Sequence, residues 1–249
     1  MSEFTGNLQY GTDTLEVISA ADNFNRWMYQ TIKPYCNGDI LEVGSGIGNI
    51  SQFFIKEGSE ITLSDFDHSY HKRLHERFGE YPNMKGIYHI DLTVKNPEEE
   101  YTSLINKFDT VFALNVVEHI EDHQQALLNA HKFLRKEGHV VILVPAFNQL
   151  YNDFDKQLGH YRRYTKKSLQ DLLRTTGFEI VHTQYFNSIG TLGWFMSGSI
   201  LRKKMIPQGQ MKLYNTLVPL WKVIDTITNP FIGLSVICVG KKKLIKYDH

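Results

Sequence analysis

The chain has 249 residues, which suits one large α/β domain better than two. Hydrophobic residues make up 42% of it, enough for a substantial core, so the composition excludes a disordered chain. Lysine plus arginine and aspartate plus glutamate number 27 each, so no global electrostatic field favours nucleic acid, and we expect no nucleic-acid partner. Cys36 and Cys238 lie far apart and no Cys/His cluster has zinc spacing, so we expect a reduced protein without a metal.

Signals for targeting and for membrane spans are weak. The first residues lack the basic segment and apolar run of a signal peptide. The uncharged run from Thr183 to Leu201 contains Gln184, Asn187 and three glycines, which makes it too polar to span a bilayer. The sequence therefore predicts a soluble, cytoplasmic protein with no transmembrane segment.

The segment from Tyr10 to Asn37 precedes the first predicted strand and has helical spacing. Its apolar stripe consists of Ala20, Phe24, Trp27, Met28 and Ile32. Pro34 and the Asn37-Gly38 pair end it. We predict that residues 1–37 form an N-terminal helical cap on one edge of a sheet.

The most informative stretch runs from Ile40 to Ser51. Its aliphatic start predicts a buried strand, Ile40 to Val43. Gly44, Gly46 and Gly48 then predict a sharp turn where the backbone can approach a ligand. The helix that follows is expected to end at Gly58 and to present free N–H groups to that ligand.

The spacing of these glycines indicates the kind of ligand. A dinucleotide site has the pattern G-x-G-x-x-G, but Asn49 occupies the place of the third glycine. The pattern that begins at Glu42 closely resembles the first motif of class I S-adenosylmethionine-dependent methyltransferases. The resemblance implies a Rossmann-like methyltransferase fold, S-adenosylmethionine as cofactor, and cofactor contacts from Glu42, Gly44, Ser45, Gly46 and Gly48. In this family the segment before the first strand often closes over the cofactor, which is the alternative role for residues 1–37.

The second predicted strand, Glu60 to Asp65, ends in an acid. Asp65 lies 17 positions after Gly48, where nucleotide-binding α/β folds place the carboxylate that receives ribose hydroxyls. Asp67 competes for this role, but it is more typical of a helix cap. The resemblance implies that Phe66 lies against the adenine.

The third predicted strand, Ile87 to Asp91, also ends in an acid. The resemblance implies that Asp91 meets the adenine amino group, with the backbone N–H of Leu92 beside it. The alternative is that Asp91 only caps the turn after the strand.

The fourth predicted strand, Phe108 to Asn115, continues into the run Val116-Val117-Glu118-His119-Ile120. This run resembles the strand-four motif of the same methyltransferases, which implies that Asn115 lies beside the methionine part of the cofactor. His119 would lie near the transferred methyl, at the edge where open α/β sheets bind ligands. For His119, a catalytic role and a structural role are both open.

Strands and helices continue to alternate. A helix capped by Asp122 is predicted to end at Gly138 before a fifth strand, His139 to Pro145, and a helix capped by Thr165 to end at Gly177. Strands six and seven are predicted at Phe178 to Tyr185 and Ser235 to Gly240. The pattern predicts a doubly wound, mostly parallel α/β sheet of seven strands. The strand order of the resembling methyltransferases would place strand seven antiparallel between strands five and six.

Between strand five and the helix capped by Thr165 lies the run Gly159-His160-Tyr161-Arg162-Arg163. In the resembling methyltransferases a Gly-His-x-Arg segment lies over the substrate side. His160 is therefore a second candidate base, with Tyr161, Arg162 and Arg163 as candidate substrate contacts. The alternative is that the arginines only pair with Asp153 or Asp155.

A long insertion, residues 186–234, precedes the last strand and is predicted to be helical. It carries many aromatic and sulfur side chains and a basic run: Trp194, Phe195, Met196, Met205, Met211, Tyr214, Trp221 and Arg202-Lys203-Lys204. The insertion forms either its own small core or an apolar rim over the substrate, with Trp194 as a substrate contact. A peripheral membrane contact is compatible with the second interpretation.

Together the sequence predicts a single methyltransferase domain over residues 1–249. Its expected reaction transfers a methyl group to an oxygen or nitrogen of a small hydrophobic or anionic acceptor that could be lipid-linked. The alternatives are a protein that binds S-adenosylmethionine without turnover and, disfavoured by the glycine spacing, a nucleotide-dependent oxidoreductase.

Overall fold

A computed structural model of the chain describes residues 2–200 and 208–243, with side chains described for residues 11–197 and 209–243. Seven strands form one sheet in the order β3-β2-β1-β4-β5-β7-β6. The strands are β1 Ile40–Val43, β2 Ile61–Asp65, β3 Met84–His89, β4 Phe108–Leu114, β5 Leu134–Pro145, β6 Phe178–Phe186 and β7 Ser235–Lys242. Only β7 runs antiparallel to its neighbours, between β5 and β6. The predicted fold class and the place of strand seven are confirmed.

Helices cover both faces of this sheet. They are α1 Ser2–Ser19, α2 Asp22–Ile32, α3 Ser51–Lys56, α4 His68–Phe78, α5 Pro97–Glu100, α6 His123–Phe133, α7 Asp153–Gln157, α8 Lys166–Thr175, α9 Ser188–Trp194, α10 Gln208–Thr216 and α11 Val218–Thr228. One core contains Leu127 of α6 and Leu173 of α8, and the other contains Met28 of α2 and Phe54 of α3. Because the central strands are buried on both faces, their aliphatic sequences follow directly from this two-sided packing.

The parallel register brings three strand ends to one edge of the sheet. Val43 at the end of β1 pairs with Ser64 of β2 and with Ala113 of β4. The loops that follow these strands therefore start side by side. This edge is the carboxyl edge at which open α/β sheets bind ligands.

Gly138 does not end a helix, contrary to the sequence-based prediction. Helix α6 ends at Phe133, and Gly138 lies inside β5, which begins at Leu134. A Cβ at Gly138 would lie 3.1 Å from the backbone oxygen of Asp109 on β4. The glycine is therefore used for close approach of two strands at an irregular register, a role that a helix-stop pattern does not reveal.

The N-terminal segment contains two helices rather than one. Ala20, which the predicted stripe included, is exposed in the turn between α1 and α2. Phe24, Trp27, Met28 and Ile32 of the same stripe are buried. Pro34 lies in a short 3₁₀ turn, Lys33–Tyr35, that ends the segment.

The insertion is helical where the structure describes it. It contains α9, a π-helical turn Phe195–Ile200, α10 and α11. The buried carboxylate of Asp225 in α11 accepts the backbone N–H of Ser188 at 2.7 Å, which fixes the start of α9. The basic run Arg202-Lys203-Lys204 and Met205 lie outside the described residues. Among the described helices, none has the length and apolar character needed to cross a membrane.

Candidate active site

A cavity of about 1070 Å³ opens at the carboxyl ends of β1, β2 and β4. Its polar wall follows these strand ends, and its remaining walls come from α1, α2, α7, α9 and α10. Ligand pockets span roughly 300–1,000 Å³. The volume therefore leaves room for a nucleoside cofactor together with an acceptor.

The glycine turn forms the floor of the cavity. Gly44 and Gly46 have positive φ values of 76° and 52°, which favour glycine, and both line the cavity with Ser45. The N–H groups of Gly44 and Ser45 donate to the Ser64 carbonyl oxygen at 2.9 and 2.8 Å. A Cβ at Gly44 would overlap the Val116 side chain. The turn is thereby held against β2, with its backbone facing the cavity.

Gly48 is placed differently from the sequence-based expectation of a ligand contact. It does not line the cavity, and a Cβ at this position would overlap the ring of Phe78 in α4. Its φ of 80° also requires glycine. Gly48 therefore serves the packing of the turn against α4.

Asp65 lies at the end of β2 beside the glycine turn. Its two carboxylate oxygens accept the backbone N–H groups of Gly46 at 2.8 Å and Asp67 at 2.9 Å. Burial raises the pKa of Asp65, and these two hydrogen bonds oppose that rise. Asp67 caps α4 by accepting the N–H of Ser69, as the cap interpretation predicted, although it too reaches the cavity.

Phe66 and Glu42 lie on either side of this carboxylate. The Phe66 ring is 53% exposed at the cavity rim, where a planar group could stack on it. Glu42 is buried and accepts a hydrogen bond from the Ser51 hydroxyl. Burial raises its pKa to about 8, although the hydrogen bonds from Ser51 and Ser45 act in the opposite direction.

Asp91 and Leu92 line the cavity beyond the end of β3. One Asp91 oxygen accepts both the N–H and the hydroxyl of Thr93 at 2.7 Å. The structure thus shows Asp91 as a turn cap. The contact of Asp91 with an adenine amino group stays a prediction.

The loop after β4 presents Asn115, Glu118 and His119 to the cavity. Asn115 has a left-handed φ of 55°, and its N–H donates to the Leu143 carbonyl oxygen at 2.8 Å, which fixes the loop on β5. Glu118 and His119 lie in a 3₁₀ turn, Val117–His119. A sharp turn directly after a central strand is what brings these side chains to the sheet edge.

Glu118 is fully buried, and neither carboxyl oxygen has a hydrogen-bond partner on another described residue. Burial raises its pKa to about 8, with Arg163 acting in the opposite direction. The carboxyl group is therefore mostly protonated at neutral pH. The sequence motif contained Glu118, but its burial was not apparent from the sequence.

The rings of His119 and His160 both line the cavity and are in edge-to-face contact, with their centroids 4.6 Å apart. Solvent reaches the His119 ring through the cavity, but protein atoms surround its other sides. This burial, and second the charge of His160, lower the pKa of His119. A ring with such a low proton affinity is a weak base.

His160 is held by a buried carboxylate. Its Nδ1 lies 2.7 Å from an oxygen of Asp155, and the same oxygen accepts Nε–H of Arg163 at 2.9 Å. Burial would raise the pKa of Asp155, but the hydrogen bond from His160 and the charge of Arg163 outweigh it, so the pKa is lowered. An ionised Asp155 selects the tautomer with hydrogen on Nδ1 and leaves Nε2 of His160 as a proton acceptor.

The two neighbouring arginines have separate positions. Arg163 is buried in the ion pair with Asp155, lines the cavity, and lies 4.8 Å from the ring centre of Trp194. Arg162 does not line the cavity, because its guanidinium donates to the carbonyl oxygens of Ile120 and Glu121 at 2.9 and 2.8 Å. The expected substrate contact from Arg162 is therefore replaced by a backbone clamp on the loop after His119.

The remaining aromatic candidates lie at the cavity. Tyr161 lines it and is 54% exposed. Trp194 lines it and donates its indole N–H to the Leu150 carbonyl oxygen at 3.2 Å. Trp221 instead packs against the core on the α2 face of the sheet. The insertion thus contributes both to the cavity wall and to a core.

One group of these side chains also has the composition of a metal site. Glu118, His119 and His160 each offer one ligand atom, and these atoms lie within 4.8 Å of one another. The expectation of a metal-free protein stays a prediction.

The sheet order, the antiparallel seventh strand and a glycine turn at the carboxyl edge define the fold of class I S-adenosylmethionine-dependent methyltransferases. Residues 21–183 match the family model of the methyltransferase domain. The chain belongs to this family. Its membership confirms the expected enzyme class and S-adenosylmethionine as cofactor, and it decides against an oxidoreductase.

Individual relatives are distant. Probable polyketide synthase 42 of Dictyostelium discoideum is 23% identical over 188 residues, which cover 67% of this chain and 7% of that protein. The chain thus spans less than a tenth of the curated relatives that it matches. Among solved structures, Burkholderia thailandensis 1,6-didemethyltoxoflavin-N1-methyltransferase has a TM-score of 0.59 and is 18% identical. The match covers 98% of this chain and 87% of that chain. The CurJ carbon methyltransferase has a TM-score of 0.57 and is 13% identical, and the match covers 90% of this chain and 54% of that chain.

Proposed function

We propose that the cavity holds S-adenosylmethionine along the strand ends and a small apolar acceptor beside it, and that His160 removes a proton from that acceptor during methyl transfer. The observation that carries this proposal is that His160, held by the buried Asp155, lines one continuous cavity. The same cavity is lined by the polar residues of the strand ends and by apolar side chains of the surrounding helices.

The polar wall fits the adenosine part of the cofactor. Asp65 ends β2 as a buried carboxylate whose two oxygens retain lone pairs beside the two N–H groups that they accept. Two neighbouring ribose hydroxyls can donate to such a carboxylate. Phe66 would then lie against the base, and Gly44, Ser45, Gly46, Glu42 and Asn115 would surround the amino-acid part.

Replacing Asp65 with alanine is expected to weaken the affinity for S-adenosylhomocysteine by one to two decades. The reason is the loss of a charged hydrogen-bond partner, which costs roughly 1.5–3 kcal/mol. Asp67→Ala is the matched control: it removes the cap of α4 and about 1 kcal/mol of stability, but it should leave affinity nearly unchanged. Calorimetry that finds the affinity loss in Asp67→Ala instead would move the ribose contact to that residue.

The His160 pair supplies the base that an acceptor hydroxyl or protonated nitrogen needs. S-adenosylmethionine supplies the methyl group and leaves as the neutral thioether S-adenosylhomocysteine. The proton of the acceptor passes to Nε2 of His160, while Asp155 stabilises the imidazolium that forms. His119, with its lowered pKa, is assigned to positioning the acceptor.

The acceptor side of the cavity is apolar. Phe24 and Met28 of α2, Phe154 of α7, Trp194 of α9 and Met211 of α10 line it. Such walls favour an acceptor with a hydrophobic body, including one linked to a lipid chain. The exposed Tyr161 and the buried cation of Arg163 are the groups that would meet its polar end.

Methylation at carbon is the second candidate, because a His–Asp pair would serve an acidic carbon equally and because a carbon methyltransferase, CurJ, is among the structures that share the fold. Candidate apolar phenols, amines and β-dicarbonyl compounds should be incubated with cofactor carrying a ¹³C methyl. Carbon NMR of the product then separates oxygen, nitrogen and carbon acceptors. Release of no S-adenosylhomocysteine with any acceptor class, despite tight cofactor binding, would contradict turnover and favour a cofactor-binding protein.

A further inference from the structure

Exposed apolar side chains are concentrated in the insertion. Among the described residues, nine of the fourteen large hydrophobic side chains that are exposed lie between positions 192 and 232. Single exposed hydrophobic residues are ordinary, but a concentration in one segment indicates an interaction surface.

Helix α11 has two apolar faces. Val218, Trp221 and Asp225, at spacings of three and four residues, face the protein core. Leu220, Val223 and Ile227 share the opposite face and are 53%, 62% and 74% exposed. Phe231 continues this stripe after the helix and is 78% exposed.

Helix α9 separates the cavity from the same outer surface. Gly190, Gly193, Trp194 and Ser197 line the cavity at helical spacing. Leu192 and Met196 point away from it and are 62% and 56% exposed. The hydroxyls of Ser188 in α9 and Thr228 in α11 lie 2.7 Å apart, and the Asp225 carboxylate joins the same two helices. The exposed apolar side chains of α9, of the π-helical turn after it, and of α11 with the turn that follows therefore belong to one joined unit. We name them the outer apolar surface: Leu192, Met196, Leu220, Val223, Ile227 and Phe231.

The charge of the insertion differs from that of the whole chain. Residues 186–234 contain five basic residues and one acidic residue, whereas the chain as a whole is balanced. The acidic residue is Asp225, which is buried and occupied by the N–H of Ser188. The segment is thus cationic by composition. Of its described cations, Lys212 lies on α10 next to the exposed Leu213, and Lys222 lies on α11 and donates to the side-chain oxygen of Gln30 in α2 at 2.8 Å.

We propose that the outer apolar surface docks on an anionic lipid bilayer. Protruding aliphatic and aromatic side chains in a segment of net positive charge match the acyl region and the anionic headgroups of a membrane interface. A folded protein partner would need a shape complementary to side chains that stand out from two helices. Part of this surface, Leu192 and Met196, lies on the segment whose other residues, Gly193 and Trp194, line the cavity. Docking would place a membrane-held acceptor next to the site. The inference therefore rests on the proposed function and deepens it.

The test uses the full chain and two kinds of vesicle, one of phosphatidylcholine and one in which a third of the lipid is phosphatidylglycerol. Wild type is expected to sediment with the anionic vesicles at least tenfold more than with neutral ones. The double variant Ile227→Glu/Phe231→Glu should sediment with the anionic vesicles at least tenfold less than wild type. Val181→Glu is the matched control, because Val181 is a 49% exposed valine on the edge strand β6, away from the insertion.

Wild type that stays in the supernatant with both vesicles, or a double variant that sediments like wild type, overturns the proposal. A wild-type dimer that becomes a monomer in the double variant would overturn it in favour of contact between two copies. Affinity for S-adenosylhomocysteine is measured without vesicles in every variant and should be unchanged. A wild-type protein that binds S-adenosylhomocysteine but no vesicles refutes only the membrane surface, whereas a wild-type protein that binds no cofactor refutes the proposed function.

Discussion

Replacing His160 with alanine is expected to lower turnover about 10²–10⁴-fold while affinity for S-adenosylhomocysteine remains close to wild type. His160 is the one histidine of the cavity held by a buried carboxylate, through its Nδ1 at 2.7 Å from Asp155. Asp155 keeps Arg163 as its partner in the variant, so the buried charge stays compensated. The loss should therefore be in catalysis and not in folding.

Two further variants separate a base from a merely structural group. His119→Ala should lower turnover less than His160→Ala, because the lowered pKa of His119 makes it a weaker base. Added imidazole should restore part of the activity of His160→Ala, since a small base can occupy the vacated space. Equal rates in wild type and His160→Ala at equal thermal stability would refute His160 as the base, and wild-type rates in both variants would refute a histidine base.

The largest expected effect on stability comes from Glu118. Burial raises the pKa of its carboxyl from an ordinary value of 4.5 to about 8. Between these two pH values the folded state keeps a proton that the unfolded state has lost, so the free energy of unfolding falls as the pH rises through this range. The full effect corresponds to roughly 4 kcal/mol.

Glu118→Gln should remove this dependence, because the amide resembles the protonated carboxyl and does not titrate. At pH 8 the variant is expected to be more stable than wild type by up to roughly 4 kcal/mol, and near pH 4.5 the two should agree within about 1 kcal/mol. Denaturant unfolding at both pH values measures the difference. Glu42 has a similarly raised pKa and titrates in both proteins, so the comparison isolates Glu118. Glu121→Gln, at an exposed glutamate, is the control and should behave as wild type.

The same experiment tests for a metal. A divalent ion held by Glu118, His119 and His160 would neutralise the carboxylate, so removing it with EDTA would destabilise wild type at pH 8 and not Glu118→Gln. We expect EDTA to change neither protein. A Glu118→Gln variant that unfolds more easily than wild type at pH 8 would contradict a protonated Glu118.

The strands and the glycine turn are predictable because they follow from local patterns, whereas the place of strand seven between strands five and six is implied only by the family resemblance. Aliphatic runs such as Ile40–Val43 are buried on both faces, and the first two strands end in the sequence at a glycine, Gly44, and at an acid, Asp65. Gly48 and Gly138 show the limit of this approach. Both were assigned from spacing, whereas the structure uses them for close packing against Phe78 and the Asp109 backbone, which are far away in the sequence.

The site was less predictable, because it depends on which polar groups become buried. Arg162 and Arg163 are adjacent, yet one clamps the backbone and the other pairs with Asp155, since neighbouring side chains of an extended segment point to opposite sides. Asp155 was considered only as a partner for arginine, and nothing in its sequence context indicated that His160 would share it. Trp194 and Phe195 were grouped together, but consecutive helical residues differ by about 100° in direction, so one lines the cavity and the other is exposed.

A crystal structure with S-adenosylhomocysteine would locate the cofactor in the cavity. We predict that both ribose hydroxyls donate to Asp65, and that the sulfur faces the part of the cavity between His160 and the side chains of α9 that line it. A ribose bound to Asp67 or Asp91, or a sulfur turned away from His160, would contradict it.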